Sequence, residues 1–386
     1  MIRRKINIIY ATNAIVPSST ANSIQVMKMC NSFATQGNRV TLLARPGKDK
    51  INKSKSIYEF YGVKDSFKII SFPFYHNNLK ALIKFLPKNT YFILCVIYIL
   101  FLKPNLIYGR SARILYLLTL MGKEVVYEAH NLPDTVEANN LLNSKKLKNI
   151  VVTSDKLKEK LKSKVKYAKI IVAHNGADNE FSFGENKEIN WIGRQNVLQA
   201  GYMGHLYNGK GMEILAPLAT VFPDIDFHVI GGLAKDIEYW KKKCLVNNVY
   251  FHGFVPHGEL LPYYKKIEIF LAPYQKHVHI YGGKRADSDY MCSLKVFEYM
   301  AEGKAILASR TPVIEEVLKD GENALLCDPD NLDDWVKALK TLHEDNLLRK
   351  KLGENAKNTL EEKYTWDKRS AGILSEIFIE TINNKK

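Results

Sequence analysis

The chain of 386 residues is 46% apolar and 11% aromatic, enough for two ordinary cores, so two domains of somewhat under about 200 residues each are expected. Residues 1–190 hold 30 Lys and Arg against 13 Asp and Glu, and the remainder 26 against 27, so nearly all of the formal +16 lies in one half. That half is expected to face something anionic: lipid headgroups, a phosphorylated acceptor, an acidic glycan or nucleic acid. Five scattered cysteines, Cys30, Cys95, Cys244, Cys292 and Cys327, form no disulfide framework or zinc spacing, which favours a reducing cytoplasm.

Residues 6–11 follow the basic Arg3, Arg4 and Lys5 but are interrupted by Asn7 and run into Thr12 and Asn13, a first strand rather than a secretion signal. The next loop carries Ser18, Ser19, Thr20, Ala21 and Asn22. Small residues there allow close backbone approach to a ligand, and a plain N-capping loop has the same composition. A helix stripe over 23–36 closes at Gly37, and 40–44 is a strand again, which makes a βαβ unit. The apolar run 91–102 is too short for a membrane span, which takes about 20 residues, and predicts a buried helix ahead of a membrane-inserting one. Residues 106–108, 113–121 and 124–127 repeat the strand–helix–strand theme, as do 150–153, 156–164 and 170–172. The first half is therefore one doubly wound α/β domain, with ligands expected at the carboxyl ends of its strands. His130 follows one such end, where its ring nitrogens suit a sugar hydroxyl, although a lone His is more often an ordinary loop residue. Residues 179–195, rich in Glu and Asn, read as a linker.

A second series starts with a strand at 197–202, then Gly204–x5–Lys210–Gly211 before a helix at 212–221. Glycine permits backbone approach and Lys210 supplies charge, which is phosphate-loop chemistry without the Walker pattern. Strands follow at 227–230, 249–254 and 267–273. The stretch 277–290, with Lys284 and Arg285, is long enough to serve as a substrate lid. Residues 288–309 read SDYMCSLKVFEYMAEGKAILAS: Ser293 suits an N-cap, Val296, Phe297 and Met300 keep helical spacing, and Gly303 stops the helix before a buried strand. A helix N-terminus is a prepared phosphate site. Glu298 on its second turn is placed to accept two ribose hydroxyl protons. A helix is expected over 311–318, a strand over 324–327 and an amphipathic helix over 332–343.

The run SLKVFEYMAEGKAILAS resembles the signature of retaining GT-B glycosyltransferases of the family 4 type. The resemblance implies two Rossmann-like doubly wound domains facing across a cleft. It assigns residues 1–190 to an acceptor domain, 191–365 to a nucleotide-sugar domain and 366–386 to a last helix returning to the first. It places the donor diphosphate on His205, Lys210, Ser293, Leu294 and Lys295, the ribose on Glu298, and the base near Phe254 and Val255. VVYEAH resembles the family strand whose His, here His130, lies beside the transferred sugar. Thr20, Ala21, Asn22 and Tyr290 fall in the same vicinity. Tyr290 stands where many members carry an acid, and His205 where Arg is usual. His130, Lys210 and Lys295 are the catalytic candidates.

With protein cations on the diphosphate and no His/Cys cluster in the sequence, neither a metal nor another cofactor is expected. The donor is expected to be a nucleoside-diphosphate sugar, with UDP ahead of GDP. The lysine-rich run 145–169 and the basic half suggest reversible docking of a cytoplasmic enzyme on the inner face of an anionic membrane. The acceptor would then be a glycan or lipid-linked intermediate of surface polysaccharide. A nucleotide-sugar 2-epimerase of the same fold is the alternative within the family. A nucleic-acid-binding module, raised by the pI near 9.3, lacks the aromatic-interleaved basic platform it needs.

Overall fold

The computed structural model describes residues 5–47, 56–72, 90–179, 188–279, 285–287, 289–290 and 292–383. The chain divides into two compact units, Met1–His174 with Trp366–Lys386, and Asn175–Thr365. The change falls at His174, whereas the resemblance implied a boundary at 190/191.

The first unit runs β1 (Asn7–Val16), α1 (Ala21–Thr35), β2 (Arg39–Pro46), α2 (Ile57–Tyr61), β3 (Lys68–Ile70), α3 (Thr90–Leu102), β4 (Leu106–Gly109), α4 (Ala112–Leu120), β5 (Val125–Ala129), α5 (Val136–Leu142), β6 (Leu147–Val152), α6 (Asp155–Lys162) and β7 (Lys169–Val172). Its sheet has the order β3-β2-β1-β4-β5-β6-β7, parallel at every pairing. Helices on both faces make a parallel strand apolar along its whole length, and Ile8, Ile9, Tyr10 and Ala11 of β1 are all buried. The sheet's switch point lies between β1 and β4, where the chain stops building outward on one side and restarts on the other.

The second unit runs β8 (Leu198–Met203), α7 (Met212–Val221), β9 (Ile225–Ile230), α8 (Ala234–Lys243), β10 (Val249–Gly253), α9 (Leu261–Lys266), β11 (Ile269–Ala272), β12 (His277–His279), β13 (Arg285–Asp287), α10 (Leu294–Ala301), β14 (Ala305–Ser309), α11 (Pro312–Glu315), β15 (Leu325–Cys327), α12 (Leu332–Glu344) and α13 (Asn346–Lys363). Its main sheet, β10-β9-β8-β11-β14-β15, is again parallel, with the switch point between β8 and β11. A last helix, α14 (Trp366–Asn383), packs on α1 and belongs to the first unit.

Four expectations are corrected. The apolar helix α3 is buried only through Tyr91, Cys95, Val96 and Ile99, while Ile93, Ile97, Phe101 and Leu102 are exposed. An apolar run without periodicity cannot tell which face the sheet will cover. The stretch 188–195 is no loose linker: Trp191 stacks on His228 with ring centroids 4.1 Å apart, and Arg194 bonds the buried Asp226 through Nε and Nη2. The proposed lid contains an antiparallel ribbon, β12 with β13, and Lys284 lies outside the described residues. The helix expected over 311–318 shrinks to the single turn of α11.

Candidate nucleotide-sugar site

The strongest convergence of polar chemistry in the second unit lies at its switch point, at the carboxyl ends of β8 and β11. After Met203 the chain turns at Gly204, whose φ of +144° strains any side chain there, and a Cβ would sit 3.0 Å from Lys295 Nζ. Gly231, after β9, has φ +116°, and its Cβ would lie 2.5 Å from the Gly204 carbonyl. The strand ends therefore meet backbone to backbone. Loop 204–211 then enters α7, whose N-cap, Gly211, offers no side-chain hydrogen bond.

Lys295, on the first turn of α10, is buried, and its Nζ has no hydrogen-bond partner. It sits 3.7 Å from the centroid of the Tyr202 ring and 5.0 Å from that of Tyr274. Lys210 reaches the same Tyr274 ring at 5.2 Å. Aromatic faces attract ammonium groups but do not replace three hydrogen bonds. Burial and then the neighbouring Lys210 hold the Lys295 ammonium well below its usual range. Burial brings Lys210 down to about 8. Two lysines around one tyrosine pair are suited to take up an anion, which would favour their charged forms.

Ser293 occupies the N-cap position of α10, yet its side chain makes no capping bond, contrary to the sequence expectation. Its hydroxyl pairs instead with the Tyr274 hydroxyl at 2.5 Å. The side chain that would have satisfied the first-turn N–H groups of Leu294 and its neighbours is thus drawn aside, and the positive end of α10 is left uncapped by it.

Glu298, one turn on from Lys295, is held at both oxygens. Oε1 pairs with His257 Nε2 at 2.7 Å, and Oε2 accepts from the Tyr264 hydroxyl at 2.9 Å. A carboxylate oxygen can accept more than one hydrogen bond. His205 stacks flat on Tyr207, centroids 4.9 Å apart. Phe254 is half exposed just after β10, and Val255 packs on the core. Gly231 N–H donates to the Gly253 carbonyl at 2.7 Å, which ties this corner to the end of β9. Tyr290 lies in a turn.

Sequence reasoning missed Tyr202, Tyr274, His257 and Tyr264. The two aromatic cages were within reach: Tyr202 and Tyr274 stand at or just beyond the ends of the two strands that flank the switch point.

His130 and the loop Thr20, Ala21, Asn22 belong to the first unit. Thr20 caps α1 by accepting from Ser23 N–H; Ala21 is exposed and Asn22 half-buried. His130 Nε2 lies 2.8 Å from Oε1 of Glu128, a fully buried carboxylate at the end of β5. Glu128 also accepts from Tyr10 and Tyr108 hydroxyls, Gln25 Nε2 and Arg369 Nη2, at 2.7 to 2.9 Å. Burial alone would raise the Glu128 carboxyl, but Arg369, His130 and Arg110 together hold it well below the carboxylate range. Burial and Arg110 lower His130 to about 4. The ring is therefore neutral near pH 7, donates its Nε2–H in a hydrogen bond to Glu128 and leaves Nδ1 as an acceptor.

Two parallel-sheet Rossmann-like units of this kind constitute the GT-B fold. The likeness extends to solved structures: sucrose-phosphate synthase from Thermosynechococcus elongatus has a TM-score of 0.72 at 16% identity, covering 99% of this chain and all of that one. Anabaena HepE in complex with UDP and glucose has 0.73 at 14%, covering 96% and 99%. Residues 212–375 match the family model described as glycosyl transferase-like. An uncharacterized glycosyltransferase of Methanocaldococcus jannaschii is 31% identical over 209 residues, 52% of this chain and 50% of that protein. A second from the same organism is 26% identical over 228 residues, 58% and 57%. The chain thus spans about half the length of the curated relatives it matches.

Proposed function

We propose that the protein is a glycosyltransferase that takes its sugar from a nucleoside-diphosphate donor, with the diphosphate held by Lys210, Lys295 and the N-terminus of α10. The observation that carries this reading is the buried Lys295 Nζ without a hydrogen-bond partner. An unpaired buried cation is costly to the folded protein, and an incoming diphosphate removes that cost. Glu298, already oriented by His257 and Tyr264, takes the ribose hydroxyls, and the backbone beyond β10 at Phe254 and Val255 takes the base. HepE is known with UDP bound, which makes UDP the first base to test here.

Charge develops on the leaving diphosphate in the transition state. Preorganised cations in a site poor in water stabilise it without reorganisation. The lysines supply charge that a metal would otherwise bring, so the reaction is proposed to be metal-independent, and by family resemblance to retain the anomeric configuration. In the first unit, the neutral His130 is proposed to accept a sugar hydroxyl through Nδ1. Tyr290 takes the place of the usual acid near the sugar. The acceptor is proposed to be a glycan or lipid-linked intermediate of surface polysaccharide.

The test is a thermal-shift series with UDP, GDP and ADP on the native chain, Lys295→Met and Glu298→Ala. At 100 times its dissociation constant a ligand stabilises by about 2.7 kcal/mol. One diphosphate is expected to stabilise the native protein and neither variant. Equal responses from all three proteins, or no response, would overturn the assignment.

A further inference from the structure

α3 presents to solvent a stripe that the fold does not cover. Ile93, Ile97 and Phe101 recur every fourth residue along one face, 47%, 58% and 82% exposed, opposite the buried Tyr91, Cys95 and Ile99. Its thirteen residues measure roughly 20 Å, too short to cross a hydrocarbon core of about 30 Å. No helix among the described residues is long and apolar enough to do so. In a parallel sheet α3 and α4 both return to the starting edge, and they pack against each other. The ends of the two helices therefore lie side by side there. Each carries exposed apolar residues followed by an exposed lysine: Phe101 and Leu102 before Lys103, Leu120 and Met121 before Lys123. The charge of the whole unit agrees. The residues of the first unit include 33 Lys and Arg against 12 Asp and Glu, a formal +21, whereas the second unit has 23 against 28, or −5.

We propose that the α3 stripe and the adjoining end of α4 form a docking surface for an anionic lipid bilayer. The helix lies along the interface with Ile97 and Phe101 among the acyl chains, and Lys103 and Lys123 stand at the headgroup level. Contiguous exposed apolar surface of this kind marks an interaction site. Its lysine rim and a cationic unit select a negatively charged membrane over a neutral one. Apolar insertion and charge are the two signals that stable anchoring takes. Nothing in this depends on the donor site, because neither Ile97 nor Phe101 belongs to it.

The experiment is co-sedimentation of the full chain with vesicles of phosphatidylcholine alone or with about a third phosphatidylglycerol, in low and physiological salt. Binding is expected to the mixed vesicles only. Ile97→Glu and Phe101→Glu should each weaken it at least tenfold, with the melting temperature unchanged because both side chains face solvent. Lys103→Gln or Lys123→Gln should weaken it about fivefold. Three results would overturn the proposal. One is no binding to the mixed vesicles, and another is binding indifferent to Ile97→Glu and Phe101→Glu. The third is a native dimer that Phe101→Glu turns into a monomer, which would make the stripe a contact between two copies of the chain. The diphosphate thermal shift of these variants reads the donor site separately, so failure of either proposal is recognised by itself.

Discussion

Glu128 in the first unit and Lys295 in the second are both buried charges close to the carboxyl ends of a parallel sheet, and the protein treats them in opposite ways. Glu128 has five donors from five residues, drawn from β1, α1, β4, the turn after β5 and α14. Lys295 has two aromatic faces and no hydrogen bond. A carboxylate with every lone pair engaged has its desolvation offset inside the fold, and it stitches distant segments together. An ammonium with none engaged is offset only when something else arrives. The difference separates a structural charge from a receptive one, and it can be broken from either side.

The largest effect is expected at the paired charge. Glu128→Ala leaves Arg369, 5% exposed, as an unpaired buried cation, and Arg369→Met strands the carboxylate in turn. Removing one partner of such a pair costs about 3–5 kcal/mol. Urea denaturation should show each single variant destabilised to that extent, and the double variant Glu128→Gln with Arg369→Met should recover part of the loss. Single variants within about 1 kcal/mol of the native chain would show that the network contributes no such linkage.

Lys295→Met reverses the pattern. The methionine fills the same volume without a charge, so the ligand-free protein should be as stable as the native one or slightly more so. Its diphosphate affinity should fall by about 3 kcal/mol, somewhat over a hundredfold. Loss of stability in the absence of ligand would mean that Lys295 is structural after all.

Proton linkage is the third and subtler handle. The Lys210 ammonium is brought from its usual 10.5 to about 8 by burial. Between those values the unfolded chain holds the proton and the folded chain has released it, so stability rises with pH through that window and levels off above it. A bound diphosphate favours the charged lysine and returns the proton. Binding near pH 8.5 should therefore take up protons, and affinity should fall as pH climbs above about 8. Calorimetry in two buffers of different ionisation enthalpy reads the uptake directly; zero uptake would separate Lys210 from the anion.

Much of this was legible in the sequence. Gly204, Lys210 and Gly211 between a strand and a helix, and Lys295 and Glu298 one turn apart on α10, are local patterns, and local patterns carry through to local structure. What the sequence hides is what long-range packing decides. Arg369 meets Glu128 across 241 positions of chain, and no window of residues contains both. His257 and Tyr264 reach Glu298 from segments 41 and 34 residues away. Ser293 looks like an N-cap because its residue type and place are right, and only the Tyr274 hydroxyl, brought in by β11, draws it off. α3 misled for a related reason: an all-apolar helix carries no periodicity to show which side the sheet takes.

The smallest expected effect separates the two halves of the proposed donor site. Tyr264→Phe removes the hydroxyl that donates to Glu298 Oε2, which should cost about 1 kcal/mol of stability. It leaves the carboxylate freer to turn away from a ribose. The affinity for a nucleoside diphosphate should drop severalfold, while that for inorganic pyrophosphate, which has no ribose, should stay the same. Lys295→Met should weaken both ligands together. If Tyr264→Phe weakened pyrophosphate as well, the Glu298 clamp and the lysine pair would be one electrostatic unit, and the receptive side of the comparison would extend from the first turn of α10 to the second.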